Sequence, residues 1–135
     1  MRAVFAPFHP GDVVVVDFPG ITGVKRRPAV VLSSDAYHAA RPDLIVGLIT
    51  SQTAGAIAPT DHALQDWATA GLRVASAFRS FLVTLPPAAN PVLAGHLSER
   101  DWSAVRARVK TAIAPLDDTP PAAASPIPAS VPPTP

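Results

Sequence analysis

The stretch Gly11-Asp12-Val13-Val14-Val15-Val16-Asp17-Phe18-Pro19-Gly20 decides the fold class. Four consecutive valines favour extended backbone, because branched side chains fit a pleated surface and lose rotamer freedom in a helix. Pro19-Gly20 reads as a turn, followed by a loop over 20–26 that runs into the cluster Lys25-Arg26-Arg27. A second buried strand, Ala29-Val30-Val31-Leu32, is expected to start at Pro28, since a strand tolerates proline at its first position. Ser33-Ser34-Asp35 has helix-cap composition and precedes one or two turns over Ala36-Tyr37-His38-Ala39-Ala40, which Arg41-Pro42-Asp43 ends. A third strand, Leu44-Ile45-Val46-Gly47-Leu48-Ile49, finishes in Thr50-Ser51-Gln52.

Further along, residues 53–60 read as loop, Ala63-Leu64 as a short edge strand, and Asp66–Gly71 as a single turn with a glycine stop. Ser76 to Leu85 reads as a strand ended by Pro86-Pro87, with Phe78 and Leu82 on one face and Arg79 and Phe81 on the other. The last element is a helix. Ser98 caps it, Asp101 stands three residues on as in a capping box, and Leu97 and Trp102 occupy the staple positions. Trp102, Val105, Val109 and Ile113 recur at helical spacing, away from Arg106, Arg108 and Lys110. Strands first and a packed helix last define a mainly β (α+β) chain: a small, SH3-like twisted antiparallel barrel or half-barrel closed by a C-terminal helix.

Composition narrows the function classes. A chain of 135 residues, 48% apolar and 16% charged, holds one core-bearing domain. Its +1 net charge provides no global field for nucleic acid or membrane. Without cysteine there are no disulfides, thiolate nucleophiles or cysteine-ligated zinc. The apolar start is cut at Pro7, His9 and Pro10, too short for a signal peptide or anchor, and no apolar run spans about 18 residues. A cytoplasmic protein without membrane association is expected. Eight of the 17 prolines fall in the last 21 residues, so 115–135 reads as a disordered Pro/Ala-rich tail behind a domain over 1–114. That domain keeps 11 basic against 8 acidic residues and is mildly basic.

The chemistry-bearing feature is a pairing of strand ends. Antiparallel neighbours would bring Lys25-Arg26-Arg27 beside Thr50-Ser51-Gln52, placing guanidinium forks next to hydroxyls and an amide, a set suited to a phosphodiester. The plain alternative is a solvated basic loop and a polar strand end, and residue chemistry by itself favours it. His9, His38, His62 and His96 are scattered without ligand spacing, so no metal site is expected; His62 beside Asp61 is a weak candidate for a tuned imidazole. Ser33-Ser34 lacks a nucleophile-elbow context. Trp67 and Trp102 read as core anchors, leaving Phe81 and Tyr37 as exposed-aromatic candidates.

Taken in order, Gly11–Pro19, Lys25-Arg26-Arg27-Pro28-Ala29-Val30-Val31-Leu32-Ser33 and Ile49-Thr50-Ser51-Gln52 resemble the MazF/PemK family of type II toxin–antitoxin systems. Asp66–Leu72, Ser76–Arg79 and Leu97–Asp101 are similar to one branch of it, and the resemblance spans roughly residues 11–113. It implies a compact barrel, a homodimer, and a cofactor-free, metal-independent endoribonuclease that cuts single-stranded RNA. It also implies a cognate antitoxin, acidic and flexible, through which regulatory DNA binding would run. The family's catalytic arginine falls on Arg27 and its strand-ending threonine on Thr50; Lys25, Arg26, Ser51, Gln52 and Arg79 are then RNA contacts. The implied reaction is attack of a ribose 2′-OH on the adjacent phosphate. The chain departs from the family at Pro86-Pro87-Ala88-Ala89-Asn90-Pro91, where a lysine-bearing segment is usual, and in loop 20–25. Two rivals share the barrel: a non-enzymatic CcdB-like toxin that binds gyrase, and an inactive RNA-binding barrel.

Overall fold

The computed structural model describes residues 8–20, 22–53 and 57–116. The tail expected over 115–135 lies, from residue 117 on, outside the described residues. The described residues form six strands and two α-helices in the order β1 (Asp12–Gly20), β2 (Gly23–Val31), α1 (Asp35–Ala40), β3 (Leu44–Thr50), β4 (His62–Ala63), β5 (Ala77–Leu85), β6 (Val92–His96) and α2 (Glu99–Ala112). A 3₁₀ turn over Pro87–Ala89 links β5 to β6. The strands form one sheet in the order β4-β5-β3-β2-β1-β6, with every pairing antiparallel.

The valine run makes β1 an interior strand, between β2 and β6. Its even members Val14, Val16 and Phe18 join Ala29 and Val31 of β2, Leu44, Val46 and Leu48 of β3, and Leu85 of β5 in one buried cluster. Its odd member Val13 joins Val30, Ile49 and Phe78 on the opposite face, where Leu97 and Val105 bring α2 against the sheet. Phe18 of β1 touches Phe81 of β5, with ring centroids 5.7 Å apart, although β2 and β3 lie between their strands. The sheet therefore curls toward the first face, which becomes the inside of a half-barrel, while α2 covers the outside. This is the expected architecture.

Several local expectations need correction. Pro19-Gly20 does not end the strand at a loop: β1 and β2 continue as a paired ribbon to Gly20↔Gly23, so Lys25-Arg26-Arg27 lies inside a strand. Gly23, at φ +121, supplies the backbone reversal instead. Pro28 accordingly stands within β2. It is tolerated there because the β2–β3 ladder stops at Ala29↔Leu48, leaving the remainder of β2 without a neighbour on that side. The short edge strand is His62–Ala63, one residue earlier than expected, and β6 was not anticipated.

The helix caps form as read. Ser34 Oγ accepts from the Tyr37 N–H and Ser98 Oγ from the Asp101 N–H. The capping box is only half made, however. Asp101 is fully buried and its carboxylate accepts from the backbone N–H groups of Gln65 (3.0 Å) and Asp66 (2.8 Å), and meets His62 Nε2 at 2.9 Å. Ser98 and Arg100 donate to Asp66 in turn, at 2.5 and 2.7 Å. These bonds tie the first turn of α2 to the loop after β4.

Candidate functional site

Antiparallel pairing of β2 with β3 runs Val31↔Val46, Val30↔Gly47, Ala29↔Leu48. Continued by two residues, the same register sets Arg27 opposite Thr50. The ladder stops before that point because Pro28 has no N–H to donate. The two strands thus end their pairing just where these side chains stand. By strand alternation both belong to the inner face, Arg27 following Ala29 and Thr50 following Leu48.

Thr50 is buried at 9% exposure, and its Oγ1 accepts from the Gln52 N–H at 3.0 Å. That bond fixes the hydroxyl oxygen and leaves its hydrogen to donate. Arg27 is half-buried and, among the described residues, its side chain makes no hydrogen bond or ion pair, so all five guanidinium N–H donors are available. Ser51 and Gln52 follow Thr50 as exposed residues. Lys25 lies exposed on the ribbon opposite Phe18. Arg79 stands on β5, the other neighbour of β3, 3.8 Å from Asp61.

Arg26 behaves differently from its neighbours. It donates to Asn90 O (2.8 Å), Asp17 Oδ1 (3.1 Å), Val15 O (3.2 Å) and Ala89 O (3.3 Å). Asn90, in left-handed conformation at φ 53, donates from Nδ2 to Asp17 Oδ2 at 3.3 Å. The proline-rich segment after β5 is thereby clipped to the ribbon by Arg26. Sequence reasoning missed this use of Arg26, since two of its acceptors, Ala89 O and Asn90 O, lie more than 60 residues away.

The histidines fall elsewhere. His62 pairs with Asp101 rather than with Asp61, which accepts from the Ser80 N–H and faces Arg79. It is a buried structural contact. His96 and Asp12 meet at 2.8 Å on the far side of the sheet, and His38 contacts the buried Ser33 hydroxyl at 2.6 Å. Among the described residues no three of His, Cys, Asp or Glu cluster as a metal site would require, and no helix is long and apolar enough to cross a membrane. Trp67 and Trp102 flank the core beneath α2.

A guanidinium without a partner and an anchored hydroxyl at opposite strand positions are donors of the kind that suit a tetrahedral anion. The family described as PemK-like, MazF-like toxins of type II toxin–antitoxin systems matches residues 9–113, nearly the whole described fold. The chain belongs to the MazF/PemK toxin family. Solved structures agree on the fold. MazF from Deinococcus radiodurans superposes with a TM-score of 0.62 at 21% identity, covering 77% of this chain and 94% of that one. An endoribonuclease from a mycobacterial species gives 0.64 at 16% identity, over 82% and 94%. The mycobacterial endoribonuclease in complex with its cognate antitoxin gives 0.61 at 17%, over 77% and 92%. No curated protein matches significantly. This MazF-like chain thus shares a half-barrel with proteins of those descriptions while keeping about one residue in five.

Proposed function

We propose that this MazF-like toxin is a metal-independent endoribonuclease for single-stranded RNA, with Arg27 and Thr50 as its catalytic pair. The observation that carries the reading is their register: opposite positions on the inner face, with donors that the fold does not consume. The scissile phosphate sits between them. The ribose 2′-oxygen attacks phosphorus and the P–O5′ bond breaks, leaving a 2′,3′-cyclic phosphate and a 5′-OH. Arg27 neutralises the charge that builds on the equatorial oxygens, and Thr50 fixes one of them by hydrogen bond. Catalysis of this kind rests on positioning and electrostatics, with no metal or cofactor involved.

Lys25, Ser51, Gln52 and Arg79 extend the RNA contacts, and the mildly basic domain over 1–114 suits both a polyanion and an acidic antitoxin segment laid over the same face. The antitoxin partner is supported by the solved complexes of similar fold. A homodimer and a cytoplasmic location complete the reading. So does a passive role for 115–135.

A second reading is favoured by one observation. The segment at Pro86–Pro91 contributes no lysine and draws Arg26 onto its carbonyls, so that guanidinium is engaged within the fold. An RNA-binding barrel without turnover would follow. Thr50→Ala separates the two: the enzyme loses about 10²- to 10³-fold in cleavage rate, the effect of deleting one charge-stabilising donor, while RNA affinity changes by less than tenfold. Unchanged residual cleavage in Thr50→Ala would remove Thr50 from the reaction.

A further inference from the structure

We infer that Phe81 is a stacking platform for a nucleobase next to the scissile phosphate, and that this subsite rests on the ribonuclease reading of the Arg27–Thr50 gap. Three observations carry it. Phe81 is 52% exposed, a large ring left open on a strand whose flanking side chains Val83 and Leu85 turn into the inner core. Phe18, itself 1% exposed, meets it in a T-shaped contact at 5.7 Å and 63°, so the ring is held from beneath while its outer surface stays in water. Holding a ring in this way removes the rotamer entropy that a loose aromatic loses on binding.

The third observation is position. Phe18 pairs with Lys25 and Val16 with Arg27, so Phe18 is the diagonal neighbour of Arg27 on the inner face, roughly 7–8 Å away by strand geometry. On the same face, Phe81 follows the register shift that separates Ile49↔Phe78 from Gly47↔Leu82, and this shift lies beside the strand end that presents Thr50. Ring, lysine, arginine and hydroxyl therefore stand around one mouth of the half-barrel. An exposed apolar ring among cations is poorly matched to an apolar protein surface. It matches a chain of alternating phosphates and flat bases. Because every base has a π-face, Phe81 supplies affinity and orientation without choosing the sequence cut.

The test uses the full-length, antitoxin-free protein with single-stranded poly(A) as ligand and inorganic polyphosphate as the base-free control. Phe81→Leu keeps an apolar side chain against Phe18; Phe81→Trp provides a reporter whose emission is read as the difference from the unsubstituted protein, which retains Trp67 and Trp102. Poly(A) quenches the added indole and polyphosphate does not, and Phe81→Leu weakens poly(A) binding about 10- to 100-fold while polyphosphate binding holds. Equal poly(A) affinity in Phe81→Leu, alongside loss of binding in Arg27→Ala, overturns the platform and leaves the ribonuclease reading standing. No RNA binding by the unsubstituted protein overturns both. A fall in oligomeric mass of Phe81→Leu, read by light scattering, also overturns the platform by assigning the ring to a protein interface.

Discussion

Arg26 and Arg27 are adjacent in β2 and serve opposite ends: Arg26 spends its guanidinium on Asp17, Val15, Ala89 and Asn90, while Arg27 keeps all of its donors free. Strand alternation alone separates them, since successive side chains leave a strand on opposite faces. One residue braces the ribbon against the segment after β5. The other faces the gap at the end of β3.

Arg26→Ala should therefore behave as a scaffold change. It removes hydrogen bonds to one partly exposed carboxylate and three carbonyls, and is expected to cost about 1–3 kcal/mol, discounted for solvent screening. Urea denaturation measures that loss. Arg27→Ala should leave the unfolding free energy from urea within about 0.5 kcal/mol of the original, because no side-chain hydrogen bond or ion pair is lost. If Arg27→Ala proves the more destabilising of the two, the division of labour is wrong.

Acid should loosen α2 first. The Arg100 and Ser98 side chains hold the Asp66 carboxyl well below the usual carboxylate range. For Asp101, burial opposes the charged form, but the N–H groups of Gln65 and Asp66 together with His62 outweigh it, and the shift is downward. Both folded values lie below the unfolded value of about 3.9, so the stabilisation is complete above that pH and disappears as pH falls through the folded values. Urea midpoints should stay level from neutrality to about pH 4 and decline below it. Asp101→Asn turns an amide N–H toward backbone donors; a loss of about 2–4 kcal/mol at pH 7 and a shallower acid decline are expected.

Gly95→Ala and Gly71→Ala should each destabilise the fold by about 1–3 kcal/mol, as overpacking against fixed backbone does. A Cβ on Gly95 would collide with the Ala70 carbonyl, and one on Gly71, at φ +92, with the Ala94 carbonyl. The turn 67–71 and β6 approach each other backbone to backbone. Thermal melts of the two variants read the effect, and an unchanged midpoint in Gly95→Ala would mean that the two segments separate at little cost.

A chain ending at Leu116 should melt and cleave as the full chain does, since the Pro/Ala composition beyond it offers little to bury. A drop in melting midpoint on truncation would give 117–135 a structural role.

The buried strands and α2 were legible because burial writes its period into the sequence: β1, β2 and β3 as valine-, leucine- and isoleucine-rich runs, α2 as Trp102, Val105 and Val109 behind Ser98. The Arg27–Thr50 opposition followed from two strand ends and one antiparallel pairing. Lys25-Arg26-Arg27 read as loop because β2 projects past β3 there and residues 23–26 are all exposed, so no alternation marks them. β6 escaped notice for the same reason. It is an edge strand with Val92 and Leu93 exposed, and among the described residues only β1 pairs with it. The Asp101–His62 pair spans 39 residues, and no local pattern announces a contact of that range.

The central claim is tested most directly by incubating a long RNA with purified, antitoxin-free protein in EDTA and mapping the new ends. The account predicts discrete cuts that carry 5′-OH and 2′,3′-cyclic phosphate, slowed at least about 10³-fold in Arg27→Ala, as loss of a charge-stabilising arginine implies. Intact RNA from folded protein, or cuts that persist unchanged in Arg27→Ala, would contradict it.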